Sequence, residues 1–408
     1  MTMAADKQDK VLNVPTLRFP EFTGEWAEST IGEEFELYSG NTPSRLDKEN
    51  FVGNVNWITS GELKDHYIGD TKEKISESSA KENNLRLMPE GTFVIAIYGL
   101  EAEGVRSTGS IITKQSTISQ ACMAFTPKGD ISNEFLYSWY KKHGNVIGIR
   151  YAQGTKQQNL SYDIIEKFKI RYPSLKEQDK LNSFISLLDT RIATQIRIIE
   201  KTKSLIKGLA NLIMDNPSDC IKYLLGDLCE IKSGYSGNQL VGNNGLRVSR
   251  IETISNHHIN LDRVGFVAPF EKSEEYKLNI GDILFSNINS VEYIGNTAYI
   301  DKDYSLYHGM NLLRLIPQKP IVSPFFLYCL LNTDRLKNHF KTICNKAVSQ
   351  ASINQAELSK TPLLLPDMPK QIQIANLFKL LLGKKEIELS YYTCLIKQKK
   401  YLLSKLFI

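Results

Sequence analysis

Apolar residues recur every three or four positions over two unusually long stretches. In the first they fall at 181, 185, 188, 192, 196, 199, 206, 209 and 213, which keeps one stripe on one helical face. Ser174 and Glu177 stand in capping-box spacing at its start. Asp215-Asn216-Pro217 ends it, because proline cannot continue the hydrogen-bond ladder. The second stripe runs through Leu381, Leu389, Tyr392, Leu395, Leu402 and Leu406, interrupted by Lys384 and Lys385. A helix of about 39 residues is roughly 58 Å long, more than one small domain can cover. The pattern therefore predicts that the two helices pair as an antiparallel coiled coil. Its contacts would be Leu181, Ile185, Leu188, Ile192, Ile199 and Ile206 on one helix, and Leu381, Tyr392, Leu395 and Leu402 on the other. The alternative is that each helix packs on its own globular half.

The regions before these helices have a different texture. "FVIAIYG" and "GDILFS" are short apolar runs bounded by glycine, as strands are. "GYSGNQLVGNNG" marks a loop. "SNEFLYSWYKKHG" reads as a helix ended by Gly144, with "SPFFLYCLLNTDRLKNHF" as its counterpart. The fold class is α+β.

The counterparts belong to a duplication. Residues 157–214 slide onto 350–407 without a gap, pairing Gln157/Gln350, Lys167/Lys360, Pro173/Pro366, Gln178/Gln371, Leu187/Leu380, Leu188/Leu381, Lys207/Lys400 and Leu209/Leu402. "IGEEFELYSG" likewise resembles "LGDLCEIKSG". The chain divides into a disordered leader (1–14), a globular region (15–173), a helix (174–216), a second globular region (217–366) and a second helix (367–408).

Charge follows the same division. The net charge is +5, yet residues 174–214 carry +3 and 367–408 carry +5, leaving −3 for the rest. A basic stripe suits a phosphate backbone or an acidic protein face. The start "MTMAADKQDK" lacks a signal sequence's apolar segment, and no apolar run approaches the ~20 residues of a membrane helix. The six cysteines form no CxxC pair and read as reduced thiols of a cytoplasmic protein. No phosphate-binding loop, H-E-x-x-H or zinc-spaced Cys/His cluster is present, and the pair His257-His258 reads as exposed loop. Nothing points to catalysis, a cofactor or a metal in this chain.

"PTLRFPEFTGEWAESTIGEEFELYSGNTPS" (15–44), "VNWITSGELKD" (55–65), the "GTKQQNLS…YPSLKEQ" unit and the helix ends "SLIKGLANLIM" and "KKYLLSKLFI" resemble the specificity subunit of type I restriction–modification enzymes. The resemblance covers nearly all of the chain after about residue 15. It implies two target recognition domains, each reading one half of a split, asymmetric site on double-stranded DNA. The helices would then set the spacer and hold two modification subunits, which carry S-adenosylmethionine and methylate adenine. Two restriction subunits, the endonuclease and translocase, would join when the complex cuts. Base edges are read by side chains with donors and acceptors. The candidates are Ser60, Glu62 and Lys64 in "TSGELK", and Lys156, Gln157, Gln158 and Asn159 at the first junction. In the second half they are Arg247 and Arg250 in "RVSR", in the place corresponding to "TSGELK", and Lys346, Ser349, Gln350 and Asn354 at the junction.

Overall fold

A computed structural model describes residues 13–102, 104–154, 158–215, 220–255, 257–347 and 350–408. The expected leader therefore lies, but for its last two residues, outside the described residues. The chain forms two compact units, Met1–Gln195 with Tyr391–Ile408, and Ile196–Ser390.

In unit 1 a five-stranded sheet runs in the spatial order Phe35–Ser39, Cys122–Pro127, Phe93–Ala96, Gly109–Ile112, Tyr67–Ile68. Phe93–Ala96 is buried on both faces, which is why it reads as a continuous apolar run rather than an alternation. A smaller sheet pairs Val55–Ile58 with Ser116–Ile118 in parallel and with Lys74–Ile75 antiparallel. Helix Asn133–Tyr151 packs on the large sheet. It does not end at Gly144. A Cβ there would lie 2.9 Å from Ser107 Cα and 3.0 Å from Tyr140 Cζ, so the glycine permits a close approach within the helix.

Unit 2 repeats the plan with a four-stranded sheet in the order Cys229–Ser233, Leu313–Pro317, Ile283–Phe285, Thr297–Tyr299. Here the covering helix is broken into Pro324–Leu331 and Asp334–Ile343. Asn332 Nδ2 donates to Tyr328 O and to Thr297 Oγ1 (2.8 and 2.6 Å), and the Thr333 hydroxyl accepts Leu336 N–H to start the second piece. Gly40 and Gly234, matched in the repeat, serve the same purpose in both units. A Cβ would fall 1.8 Å from Ile118 O in one and 1.9 Å from Gly309 O in the other.

The apolar run before each repeated proline closes its domain. Lys169–Tyr172 pairs antiparallel with Ala27–Thr30, and Pro362–Leu365 with Ile221–Leu224. Each long helix then begins, at Leu175–Asp215 and Met368–Leu406, and one buried amide ties it to the domain just closed. Gln178 Oε1 accepts Ser132 N–H (2.9 Å) while Nε2 donates to Asp130 O and Pro173 O (2.7 and 3.0 Å). Gln371 does the same, accepting Ser323 N–H (2.9 Å) and donating to Pro366 O and Ile321 O (2.9 and 3.3 Å). The Glu177 carboxylate turns to the Arg18 guanidinium, at 2.7 and 2.8 Å, and to the Trp26 indole N–H, so the capping-box spacing serves a tie to the N-terminal arm.

In unit 1 Leu188 and Ile192 pack with Tyr392, Leu395 and Leu402, and Asp189 pairs with Lys399. Residue numbers rise along one helix as they fall along the other, so the pair is antiparallel. Leu181 and Ile185 enter the domain core together with Leu403, Leu406 and Phe407. Mutual packing and packing on the domain thus occur together. In unit 2 Ile199 is buried, Leu381 is half-buried, and Ile206 and Ala210 line one cavity together with Phe378 and Leu382. The second helix runs unbroken through Lys384 and Lys385. Ile196 and Leu389, which the periodicity puts on the stripe, are 43% and 40% exposed.

Each repeated glutamine satisfies three backbone groups at once. Gln178→Ala and Gln371→Ala should each destabilise the protein by about 1–3 kcal/mol per orphaned buried group, measured by urea unfolding. A loss below ~0.5 kcal/mol for both would contradict the role given to these amides.

Candidate nucleic-acid interface

The junction preceding each closing strand is held against the loop that follows the central strand of its domain. In unit 1 Gln153 and Asn159 exchange backbone hydrogen bonds (2.8 and 2.9 Å), and Leu160 N–H donates to Ile97 O (2.9 Å). Gln158 N–H donates to the Glu101 carboxylate (2.9 Å) and Gln158 O accepts Leu100 N–H. That backbone donor holds the Glu101 carboxyl below its ordinary range. In unit 2 Ile353 N–H donates to Asn287 O (2.8 Å), and Ala351–Ser352 pairs with both Ile288–Asn289 and Asn345–Lys346. Leu160 and Ile353 are partners in the gapless register, so one backbone bond recurs in both domains.

Side chains on these edges differ in how free they are. Lys346, Gln350, Arg247, Arg250 and Lys64 are exposed, and Ser60 is half-exposed. The Asn354 amide caps the turn Gln355–Ser359 by accepting Glu357 N–H (2.8 Å). Asn159 is half-buried, with its Oδ1 unpartnered. Glu62 is committed to its own chain, accepting Thr59 N–H, Thr59 O–H and Lys72 N–H at 2.9, 2.8 and 2.7 Å. Lys156, Gln157 and Ser349 lie outside the described residues.

The short turns near these edges also fix a register. Thr59 N–H donates to the Glu62 carboxylate three residues on, and Arg250 N–H donates to Thr253 Oγ1 (2.9 Å). Thr59 and Arg250 therefore correspond, and "RVSR" overlies "NWIT" rather than "TSGELK". Arg247 takes the place of Asn56, but is exposed on its strand where Asn56 is buried. Together the exposed groups offer cations and hydrogen-bonding side chains on loop edges, the equipment for phosphate and base-edge contacts.

One cluster was not read from the sequence. In unit 1 the His66 ring is stacked between Tyr67 and Tyr137 (centroids 4.1 and 3.9 Å). Its Nε2 lies 2.9 Å from the Glu134 carboxylate, and its Nδ1 lies 3.7 Å from Asp189, which itself pairs with Lys399. Burial pushes the His66 pKa down, but the two carboxylates outweigh it, and the net shift is upward. Burial, with Lys399 nearby, brings the Lys141 amine down to about 8. The corresponding histidine, His257, is half-buried, so the exposure expected of the His257-His258 pair is found at His258 alone. The signal available in the sequence was a histidine at one fixed distance after each turn.

Among the described residues, no group of three His, Cys, Asp or Glu side chains could hold a metal ion, and no helix is long and apolar enough to cross a membrane.

Comparison with known proteins agrees with the duplicated plan. The family described as "Type I restriction modification DNA specificity domain" matches residues 23–203 and again 217–402. A putative type I restriction enzyme MjaX specificity subunit from Methanocaldococcus jannaschii is 41% identical over 200 residues, 47% of this chain and 46% of the relative. A second subunit from that organism, MjaIX, is 28% identical over 43% of this chain and 41% of its own length. The chain thus spans less than half the length of these two relatives. The MjaVIII specificity subunit of the same organism is 22% identical over 91% of this chain and 89% of the relative. The S subunit of a type I restriction–modification system from M. genitalium has the same fold, with a TM-score of 0.60 at 17% identity, covering 97% of this chain and 99% of that one.

The His66 cluster carries a pH signature. A histidine whose folded pKa is raised contributes stability that is complete below its unfolded value near 6.5 and is lost as pH rises through the folded value. The charged groups facing His66 are the carboxylates Glu134 and Asp189, and Asp189 is itself paired with Lys399. The stability difference between the wild type and His66→Gln should be largest at acidic pH and shrink as pH rises above ~6.5. A difference that stays constant in urea titrations from acidic to alkaline pH would refute this.

Proposed function

Since the chain belongs to the family of type I restriction modification DNA specificity domains, we propose that it is the non-catalytic DNA sequence-specificity subunit of a type I restriction–modification complex. Each target recognition domain reads one half of a bipartite, asymmetric site. The long helices set the spacer between the halves and dock two modification subunits, which hold S-adenosylmethionine. Two restriction subunits join for cleavage, and the complex works in the cytoplasm.

The observation that carries this reading is a reused scaffold with diverged surfaces. The closing strand, the buried glutamine and the junction-loop bond recur in both units. The surfaces they present differ: unit 2 has the exposed Arg247 and Arg250 where unit 1 has the buried Asn56 and the half-buried Thr59. A chain built this way offers two readers of different sequences on one frame. The helices support partner docking in a similar way. Leu187 and Leu380, identical partners in the repeat, are 71% and 72% exposed, so the same apolar contact is available twice.

Phosphate contacts are supplied by exposed lysines. Lys397 and Lys400 are exposed on the second helix, whereas Lys399 is committed to Asp189. A gel-shift selection from a random-sequence duplex library, with the modification subunit present, should enrich two specified blocks separated by an unspecified gap; no enriched bipartite motif would sink the reading. Leu187→Asp or Leu380→Asp alone should reduce the modification subunits bound from two to one, with affinity at the altered site weakened about tenfold or more. Native mass spectrometry checks this, and two subunits bound to either variant would contradict it. Reversing the charge of Lys397 and Lys400 should lower the salt slope of DNA binding by about one for each phosphate no longer neutralised, without changing the motif.

A further inference from the structure

The His66 cluster of unit 1 has a counterpart in unit 2 from which the central anion is missing. The turn register aligns His66 with His257. The donors Ser132 N–H and Ser323 N–H to the two glutamines align Tyr137 with Tyr328 and Lys141 with Asn332. The gapless repeat aligns Asp189 with Leu382 and Lys399 with Ile206. In unit 1 Asp189 places its own carboxylate between His66 and Lys399. In unit 2 that position is Leu382, on the wall of an open cavity of about 410 Å³, within the size range of small-molecule sites.

The cavity keeps the cations without the carboxylate. Lys337 and Lys385 line it, and among the described residues neither has a carboxylate within 4.0 Å. His257 Nδ1 faces Thr297 O (3.3 Å), which places the ring proton there and leaves Nε2 to accept from the Lys337 amine (3.2 Å). Burial pushes the pKa of that amine down, a cost an incoming anion would relieve. Of the two acids of the lining, Asp334 pairs with Lys207 (2.8 Å) and reaches Lys337 only as a charge beyond ion-pair distance, and Glu386 is exposed. The Asn332 Oδ1 is buried without a partner, an acceptor left for a ligand hydroxyl or N–H. Tyr328, Phe378 and Leu382 provide an apolar and aromatic wall.

We propose that this cavity binds a small organic anion, a carboxylate or phosphate ester on an apolar or aromatic body, whose charge takes the place that Asp189 holds in unit 1. The charge pairs with Lys337 and Lys385, and the body lies against Tyr328, Phe378 and Leu382. The assignment stands on unit 2's own residues and is independent of the DNA-specificity reading.

Isothermal titration calorimetry of the full chain tests it, with phenyl phosphate and benzoate as probes and benzyl alcohol as the neutral control. At least one anion should bind saturably at one per chain and benzyl alcohol should not, with the stronger anion identifying the phosphate or carboxylate source. Lys337→Gln and Lys385→Gln should each weaken binding about tenfold. Leu382→Asp, which restores the internal carboxylate, should abolish it. Lys385 lies outside the Lys337–His257 hydrogen bond, so Lys385→Gln tests the charge even where Lys337→Gln disturbs the fold. The proposal is overturned by the absence of saturable binding of either anion, by equal binding of benzyl alcohol, or by unchanged affinity in Lys385→Gln and Leu382→Asp.

Discussion

A buried primary amide that bonds three backbone groups at once tolerates little displacement, because every bond broken leaves a polar group dry. Gln178 and Gln371 are such amides. Each joins the loop before the covering helix, the proline that ends the closing strand, and the first turn of a long helix. The rotational setting of the start of that helix on its own domain is therefore decided there. The neighbouring Glu177 secures the first helix again through Arg18 and Trp26, whereas Lys370 occupies that position in the second copy.

Within unit 1 the antiparallel pairing brings the last residues of the chain into the first domain's core. Phe407 packs on Phe135 (5.2 Å between centroids), Lys142 Nζ donates to Phe407 O (2.6 Å), and Leu17 N–H donates to Lys405 O (3.0 Å). The beginning and the end of the chain thus share one hydrophobic cluster, and the domain, both helices and the N-terminal arm stabilise one another. The site between domain and helices is an ionic, stacked cluster in unit 1 and an open basic cavity in unit 2.

The helices and the duplication were legible because their signals are periodic and long. A stripe repeated over about nine turns, and one proline–glutamine spacing found twice, survive low identity. Single residues whose roles depend on distant partners were not legible. Gly144 reads as a helix stop until Ser107 is seen against it. "SPFFLYCLLNTDRLKNHF" looks like one helix, and only Thr297 explains the break at Asn332. Glu62 looked like a group facing outward because its three donors, one of them ten residues away, cannot be inferred from spacing. The placement of "RVSR" slipped because the two halves share almost no residues there, and the cap bonds rather than the letters carry the register. His66 needed Asp189 and Lys399, both far away in sequence, to become a cluster.

The central claim is that one chain carries two independent readers on a repeated frame. Long-read methylation mapping of cells expressing this chain with a modification subunit tests it most directly, comparing the wild type with a chain whose residues 15–173 come from a diverged relative. The account predicts two modified blocks separated by a fixed gap, with only one block changed by the exchange. A single continuous motif, or a change in both blocks, would contradict it.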